Sequence, residues 1–232
     1  MTQYDKQFML QLMESFKKHG LICNSSKKLC ADDHGFFLYV LSVRPCPIGG
    51  VYIETGVRFC WFKPDGSILF EFYFEDKLGD NRVTVDNYML WTQDSFDSQK
   101  ILETPGAYEY VEKCLFKNID MYRELENLKK FRKALLKRKD FHYHQFRENS
   151  QKRDVELAMI NYLLGNFDDT RESLEYITSI IGEREHFNKI INLCRAKKID
   201  YDYINNEITE NRLSLRKYFK NLPVNPDGYF GK

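Results

Sequence analysis

Two glutamates, Glu54 and Glu75, have the chemistry of an acid–base or metal-binding pair if the fold brings them together. The turn sequence Lys63-Pro64-Asp65-Gly66 predicts a β-hairpin between the segments that carry them, and a four-residue loop places the two carboxylates opposite each other. Like charges side by side raise one pKa, which suits proton transfer or metal binding. Because the sequence places no histidine or further acid nearby, we favour two solvated carboxylates at the open end of the hairpin.

The same region contains an order of residues that is found at the metal site of many nucleases. Pro64-Asp65 is followed after nine residues by Glu75-Asp76-Lys77, which resembles the PD…ExK pattern. In such a site the two acids converge on a metal ion beside the lysine. In the predicted hairpin, Asp65 lies in the turn and Glu75 lies about ten residues further on, roughly 33 Å away at about 3.3 Å per residue. We therefore do not interpret the pattern as a nuclease site.

A complete catalytic or cofactor motif is missing from the rest of the sequence. The chain has no Gly-x-Ser-x-Gly turn, no Gly-x-Gly-x-x-Gly or Walker loop, and no cysteine in an evidently activating setting. We predict no catalytic, metal-binding or cofactor-binding residues and no cofactor. A metal-dependent hydrolase that uses Glu54 and Glu75, or an enzyme whose site is assembled from distant residues, stays open as an alternative.

The strongest cluster of one charge sign lies in the second half of the chain. With Tyr143 and Phe146 beyond it, the cluster is typical of a nucleic-acid surface. It also flanks the apolar stripe of a predicted helix, so a solvated helix face explains it without a ligand, and we prefer that interpretation. A net charge of only +1 argues against a protein that grips polyanions over its whole surface. The seven basic residues are Lys129, Lys130, Arg132, Lys133, Lys137, Arg138 and Lys139.

A sheet is predicted for the segment from Phe36 to Trp91, which is dense in Val, Ile, Phe, Tyr and Trp at alternating spacing. Residues 21–33 are polar and irregular, and no strand is predicted there. In the hairpin, Arg58 falls with Glu54 on the polar face, opposite an aromatic face that must pack on the core. A three-residue loop with a glycine bulge would shift the register by one and bury Arg58 and Glu54, but we prefer the first register because it separates polar from apolar residues. The four predicted strands are Phe36–Val43, Val51–Phe62, Ser67–Glu75 and Arg82–Trp91.

Helical spacing dominates both ends of the chain. Tyr4, Phe8, Leu12 and Phe16 recur every fourth residue and predict a first helix, for which Gly20 can supply the left-handed end. From Tyr108 to Leu135 the apolar stripe steps by threes and fours, which predicts one long helix. Thr104 would cap this helix and Pro105 would begin it. Shorter helices are predicted near residues 153–164, 168–181, 184–197 and 201–221.

These patterns together predict an α+β protein. An N-terminal helix lies on a four-stranded, mainly antiparallel sheet, followed by a long helix and a C-terminal helical bundle. We divide the chain into an α+β sheet domain at residues 1–104, a helical region at 105–222 that starts with the long shared helix, and a loose tail at 223–232.

The six cysteines include no CxxC pair, and several fall at apolar strand or helix positions. Buried reduced thiols are the preferred interpretation. No basic segment followed by an apolar one opens the chain, and no run approaches the roughly 18 apolar residues that cross a bilayer. We therefore expect a soluble, cytoplasmic protein that does not enter membranes.

Two resemblances bear on function. Leu163-Leu164-Gly165-Asn166-Phe167-Asp168-Asp169-Thr170 resembles the helix–turn–helix junction of a tetratricopeptide repeat, which implies one helical hairpin near residues 155–181. Lys17-Lys18-His19-Gly20 and the strand from Gly50 to Val57 resemble small bacterial α+β domains, some of which occur as immunity proteins beside toxins. This second resemblance covers residues 1–90 and implies no functional residues.

The preferred function is a non-catalytic protein-interaction module, of an immunity or regulatory type, whose partner is another protein. The alternative is a nucleic-acid-binding accessory protein that uses the basic segment 129–139. The sequence does not predict an oligomeric state.

Overall fold

The computed structural model divides the chain into two compact units. The first comprises Met1–Arg123 and Glu207–Asp227, and the second comprises Glu124–Asn206 and Gly228–Lys232. The described part of the chain has eight α-helices and eight β-strands, which confirms the α+β class. It consists of residues 1–47, 49–61, 84–85, 88–89, 91–92, 95–125, 127–137 and 147–231.

Helix α1, Gln3–Lys18, has the register that its apolar spacing predicts. Phe8, Leu12 and Phe16 are fully buried. At its start Thr2 accepts a hydrogen bond from the backbone N–H of Asp5, whose carboxylate accepts one from Thr2 N–H in return. This reciprocal cap satisfies two N–H groups that the helix itself leaves without partners.

An antiparallel sheet forms the centre of the first unit, and α1 packs against β1 and β3. Its strands are β1 Ile22–Asn24, β2 Leu29–Asp33, β3 Phe37–Pro45, β4 Val51–Phe59, β7 Trp91–Thr92 and β8 Ser95–Phe96, in the order β1-β2-β3-β4-β8-β7. A second sheet pairs β5 Thr84–Val85 with β6 Tyr88–Met89. Residues 37–43 of β3 are all buried, as expected for a strand that is covered on both faces.

Strands β1 and β2 occupy the segment for which no strand was predicted. Cys23 and Cys30 stand directly opposite each other in this hairpin, with Cα atoms 4.1 Å apart, and are joined by a disulfide. The expectation of reduced thiols was therefore wrong for this pair. It failed because cross-strand neighbours are visible only once the hairpin is recognised. The remaining cysteines, Cys46, Cys60, Cys114 and Cys194, stay as thiols.

The predicted hairpin after β3 is only partly described. Strand β4 ends at Phe59, while the turn and the partner strand Ser67–Glu75 lie outside the described residues. Arg58 was expected on a polar face but is only 1% exposed. The residues that follow it, Phe59 to Trp61, are all buried, so both faces are covered here and alternation does not separate an inside from an outside.

The change from strand to helix comes earlier than predicted. Helix α2, Ser98–Glu103, follows β8 directly, and its first turn is capped by Asp97, which accepts a hydrogen bond from Lys100 N–H at 3.1 Å. Thr104 ends this short helix, and α3 begins at Ala107 after Gly106, whose φ is +77°. The prediction that Thr104 and Pro105 start a long helix was therefore wrong.

Two helices occupy the long apolar stripe. Helix α3, Ala107–Arg123, contains the first part of the stripe, and α4, Leu128–Lys137, contains the second part. Asn127 accepts a hydrogen bond from Lys130 N–H at 3.0 Å, which is a cap that starts a new helix. The stripe is buried on both sides of the interruption, for example at Ile119 and Phe131, so apolar spacing alone conceals the break.

The second unit is a succession of packed helices, as predicted. Helix α4 packs on α5, Arg147–Leu163; α5 packs on α6, Phe167–Ile181; and α6 packs on α7, Glu185–Arg195. The α5–α6 turn contains Gly165 at φ +79°, a left-handed conformation that favours glycine. The last helix, α8, is Tyr201–Leu215. Its residues up to Asn206 belong to the second unit, and those from Glu207 onward belong to the first. None of the helices in the described part of the chain has the length and apolar character of a membrane span.

Candidate functional site

Helix α4 presents part of the predicted basic cluster to solvent. Lys129, Lys130 and Lys133 are exposed, and we refer to these three residues as the α4 lysine face. Arg132 is half-buried and donates a hydrogen bond through Nε to Asn161 Oδ1 at 2.6 Å. The arginine is therefore anchored on α5. The side chain of Lys137 and all of Arg138 and Lys139 lie outside the described residues.

The predicted acidic pair is not assembled by the described residues. Glu54 is placed in β4, where its backbone pairs with Ser42 of β3. The side chain of Glu54 and the whole of Glu75 lie outside the described part, as do Asp65 and Lys77. The pair stays a prediction. Within the described ranges, no group of three or more His, Cys, Asp or Glu side chains is close enough to hold a metal ion.

A buried ion pair that the sequence did not reveal joins β2 to α8. Arg212 is 1% exposed, and its Nη1 and Nη2 donate to Asp33 Oδ1 and Oδ2 at 2.8 and 2.5 Å. The same guanidinium donates to the backbone carbonyls of Gly35 at 2.6 Å and Pro223 at 2.8 Å. A planar five-donor group is suited to such a cluster of acceptors. Arg212 thus ties two backbone segments and one carboxylate together.

A second ion pair involves Asp32, the preceding residue of β2. Arg123 of α3 donates to both carboxylate oxygens of Asp32 at 2.9 and 2.8 Å, and His34 Nε2 lies 3.1 Å from Asp32 Oδ2. Burial alone would raise the pKa of Asp32, but His34 and Arg123 outweigh burial and lower it to about 2. Arg123 also donates to the carbonyl of His19, whose ring stacks on Phe116.

These contacts suit anchoring better than catalysis. A general base needs a pKa near the working pH, whereas the pKa of Asp32 is about 2 and its oxygens are occupied by Arg123. Nearby, burial raises the pKa of the Cys60 thiol to about 12, so this cysteine stays protonated and is a poor nucleophile. The available sequence signal was Asp32-Asp33-His34 directly after apolar residues, at the end of a strand that was not predicted.

The exposed side of α6 combines apolar and acidic side chains. Tyr176 is 65% exposed and Ile180, one turn later, is 48% exposed. Asp169 and Glu172 are exposed as well, and their spacing of three and four residues places all four side chains in one stripe. We refer to Asp169, Glu172, Tyr176 and Ile180 as the α6 face. The buried residues of α6, such as Ile177, lie on another side, so the α6 face is not part of the core.

Sequence reasoning missed the α6 face because a helical apolar pattern is assigned to the core by default. No family model, no curated protein and no solved structure matches this chain.

Proposed function

We propose that the protein is a non-catalytic interaction module that binds another protein through the α6 face. The observation that carries this proposal is the exposure of Tyr176, at 65%, one helical turn from Ile180, at 48%. Single apolar residues on a surface are ordinary, but here a tyrosine and an isoleucine are adjacent on one helix stripe. Tyrosine is enriched at protein interfaces and among the residues that dominate their affinity.

The charge of the α6 face indicates the chemistry of the partner. Asp169 and Glu172 lie in the same stripe, N-terminal to Tyr176 and Ile180, and both carboxylates are exposed. A complementary surface brings lysine or arginine beside apolar residues. A basic amphipathic helix of the partner protein meets this requirement, because its anchors recur at the same helical spacing.

A wider role as an immunity or regulatory protein of a bacterial cytoplasm belongs to the same proposal. It is supported by the resemblance of residues 1–90 to bacterial α+β domains, some of which occur as immunity proteins. A protein of this kind acts by occupying its partner and needs no catalytic group. Asp32 and Asp33 are each paired with an arginine, and the thiol of Cys60 is buried. Groups held in this way are consistent with a role that needs no catalysis.

Two synthetic helical peptides with identical leucine positions test the proposal, one with lysine and the other with glutamate at its remaining positions. We expect the lysine peptide to bind the full chain in fluorescence anisotropy titrations. Tyr176→Ala should weaken this binding at least 5-fold, which corresponds to about 1 kcal/mol for an interface anchor. Added salt should weaken it too, because the charge contribution is screened.

The matched control is Tyr110→Ala on α3, which removes a 42% exposed tyrosine from another helix. It should leave the affinity for the lysine peptide unchanged. Equal binding of the glutamate peptide, or equal effects of Tyr176→Ala and Tyr110→Ala, would show that the α6 face is not the binding surface.

A second candidate function, nucleic-acid binding, is supported by the exposure of Lys129, Lys130 and Lys133. The aromatic residue of α4, Phe131, is fully buried, so this face offers phosphate contacts and no stacking surface. Such binding would weaken steeply with salt, and Lys129→Glu with Lys133→Glu would reduce it. Unchanged affinity for duplex DNA and for single-stranded RNA after both substitutions would reject this candidate.

A further inference from the structure

The C-terminal segment Gly228–Gly231 is held by one amide side chain of α8. Asn205 Oδ1 accepts hydrogen bonds from the backbone N–H groups of Tyr229 at 2.8 Å and Phe230 at 3.0 Å. Asn205 Nδ2 donates to the carbonyl of Phe230 at 2.9 Å. One side chain therefore makes three hydrogen bonds to the backbone of two successive residues.

Glycine is required at both ends of this segment. A Cβ on Gly228 would lie 2.6 Å from Asn205 Nδ2, and a Cβ on Gly231 would lie 2.8 Å from Cγ of Tyr201. Both glycines also have positive φ, +83° and +91°, which side-chain-bearing residues rarely adopt. The close approach and the backbone conformation each select glycine independently.

The same kinds of contact let a protein bind an extended peptide. The hydrogen bonds go to the backbone, so they supply affinity whatever the central side chains are, while the close fit at Gly228 and Gly231 supplies selectivity. We propose that Asn205 and Tyr201 form a binding site for a Gly-x-x-Gly segment of a partner protein, and that the C-terminal segment of this chain occupies it in cis. The site uses none of the α6 face, so it goes beyond the proposed function, and each stands or fails separately.

Because it occupies the site in cis, the C-terminal segment competes with any segment of a partner protein for the same site. A segment that is tethered close to its site has an effective concentration of about millimolar, so a free peptide of similar affinity displaces little of it. Any change that spoils the fit of the tethered segment and leaves Asn205 intact opens the site. The affinity for a free peptide should then rise.

A labelled peptide with the sequence of residues 227–232, Asp-Gly-Tyr-Phe-Gly-Lys, tests this inference with full-length protein. Gly228→Ala should bind the peptide at least 10-fold more tightly than the unaltered chain in anisotropy titrations. Gly231→Ala, which disturbs the other end, should have the same effect. Gly228→Ala combined with Asn205→Ala should lose the binding, because the three hydrogen bonds are gone.

A peptide in which both glycines are replaced by alanine is the matched control and should not bind Gly228→Ala. Circular dichroism of each variant confirms that it is folded. The inference is overturned if Gly228→Ala and Gly231→Ala bind the peptide no better than the unaltered chain, or if loss of Asn205 leaves binding intact. A concentration-dependent dimer of the unaltered chain that Asn205→Ala abolishes would replace the partner protein with a second copy and would also overturn it.

Discussion

Asp33 and Arg212 form a bidentate ion pair although they lie 179 positions apart in the sequence. Asp33 ends β2 and Arg212 lies on α8, so the pair ties an early strand to the last helix within the first unit. The guanidinium is 1% exposed and binds two backbone carbonyls as well. Loss of either partner therefore removes hydrogen bonds from polar groups that are buried or half-buried.

Arg212→Met should lower the free energy of unfolding by about 3 kcal/mol, because it removes one partner of a buried pair and leaves the carboxylate of Asp33 without its counterion. Equilibrium unfolding in urea, followed by circular dichroism, measures this loss. Arg212→Lys should recover little of it, since an ammonium group does not reproduce a bidentate guanidinium.

The control for Arg212→Met is Lys100→Met, which removes an exposed ion pair to Asp97 in the same unit. An exposed pair contributes little, so this change should stay within about 0.5 kcal/mol of the unaltered chain. Similar losses in both variants would contradict an anchoring role for Arg212.

Asp32 should make stability depend on acid pH. Its pKa in the folded chain is about 2, below the ordinary value of 3.8, so its ionised form is stabilised by folding. The stabilisation, about 2 kcal/mol, is complete above about pH 4 and is lost as the pH falls from 4 towards 2. Urea unfolding at several pH values should show a smaller acid loss in Asp32→Asn than in the unaltered chain.

Arg123→Met provides an independent check on the behaviour of Asp32, because it removes the guanidinium that holds both carboxylate oxygens. It should also flatten the stability profile between pH 4 and pH 2. If stability falls with acid as steeply in both variants as in the unaltered chain, the ionised form of Asp32 is not stabilised by folding.

The Cys23–Cys30 disulfide should be detectable by thiol titration. Four thiols should react in unfolded, unreduced protein and six after reduction. The bridge closes a loop of eight residues, so its reduction should cost about 2.5 kcal/mol on the chain-entropy account. Cys114→Ser, which touches no disulfide, should lower both thiol counts by one and leave the difference at two.

Six reactive thiols before reduction would refute the bridge. The result also bears on location, because cytosolic reductants keep disulfides rare. An oxidised pair in protein taken directly from cells would count against the cytoplasmic location that the sequence predicts.

Elements with one long buried face were the ones that the sequence predicted well. Helix α1 follows the four-residue spacing of Phe8, Leu12 and Phe16, and the α5–α6 hairpin turns at Gly165. Both signals are local. The apolar spacing of a helix shows its buried side within a few turns, and a left-handed turn favours glycine at one position. Short strands such as β1 and β2 carry too few residues for a period to be recognised.

The interruptions show the limit of periodicity. The apolar stripe continues across the gap between α3 and α4, so the cap at Asn127 was hidden by a pattern that fits one long helix. Arg58 was placed on a polar face because a strand was assumed to have one, whereas the fold covers both of its faces. The burial of Arg58 therefore depended on what packs against it from elsewhere in the chain.

The α+β class, the first helix, the buried central strand and the helical C-terminal half were determined by the sequence alone, because composition and spacing act over a few residues. Only the tertiary structure decided that Asp33 meets Arg212, that Cys23 faces Cys30 and that Asn205 holds the backbone of Phe230. Those contacts join residues that folding brings together, and no local pattern records which distant donor will reach which acceptor. The candidate surfaces became visible for the same reason, since the exposure of Tyr176 follows from what α6 packs against.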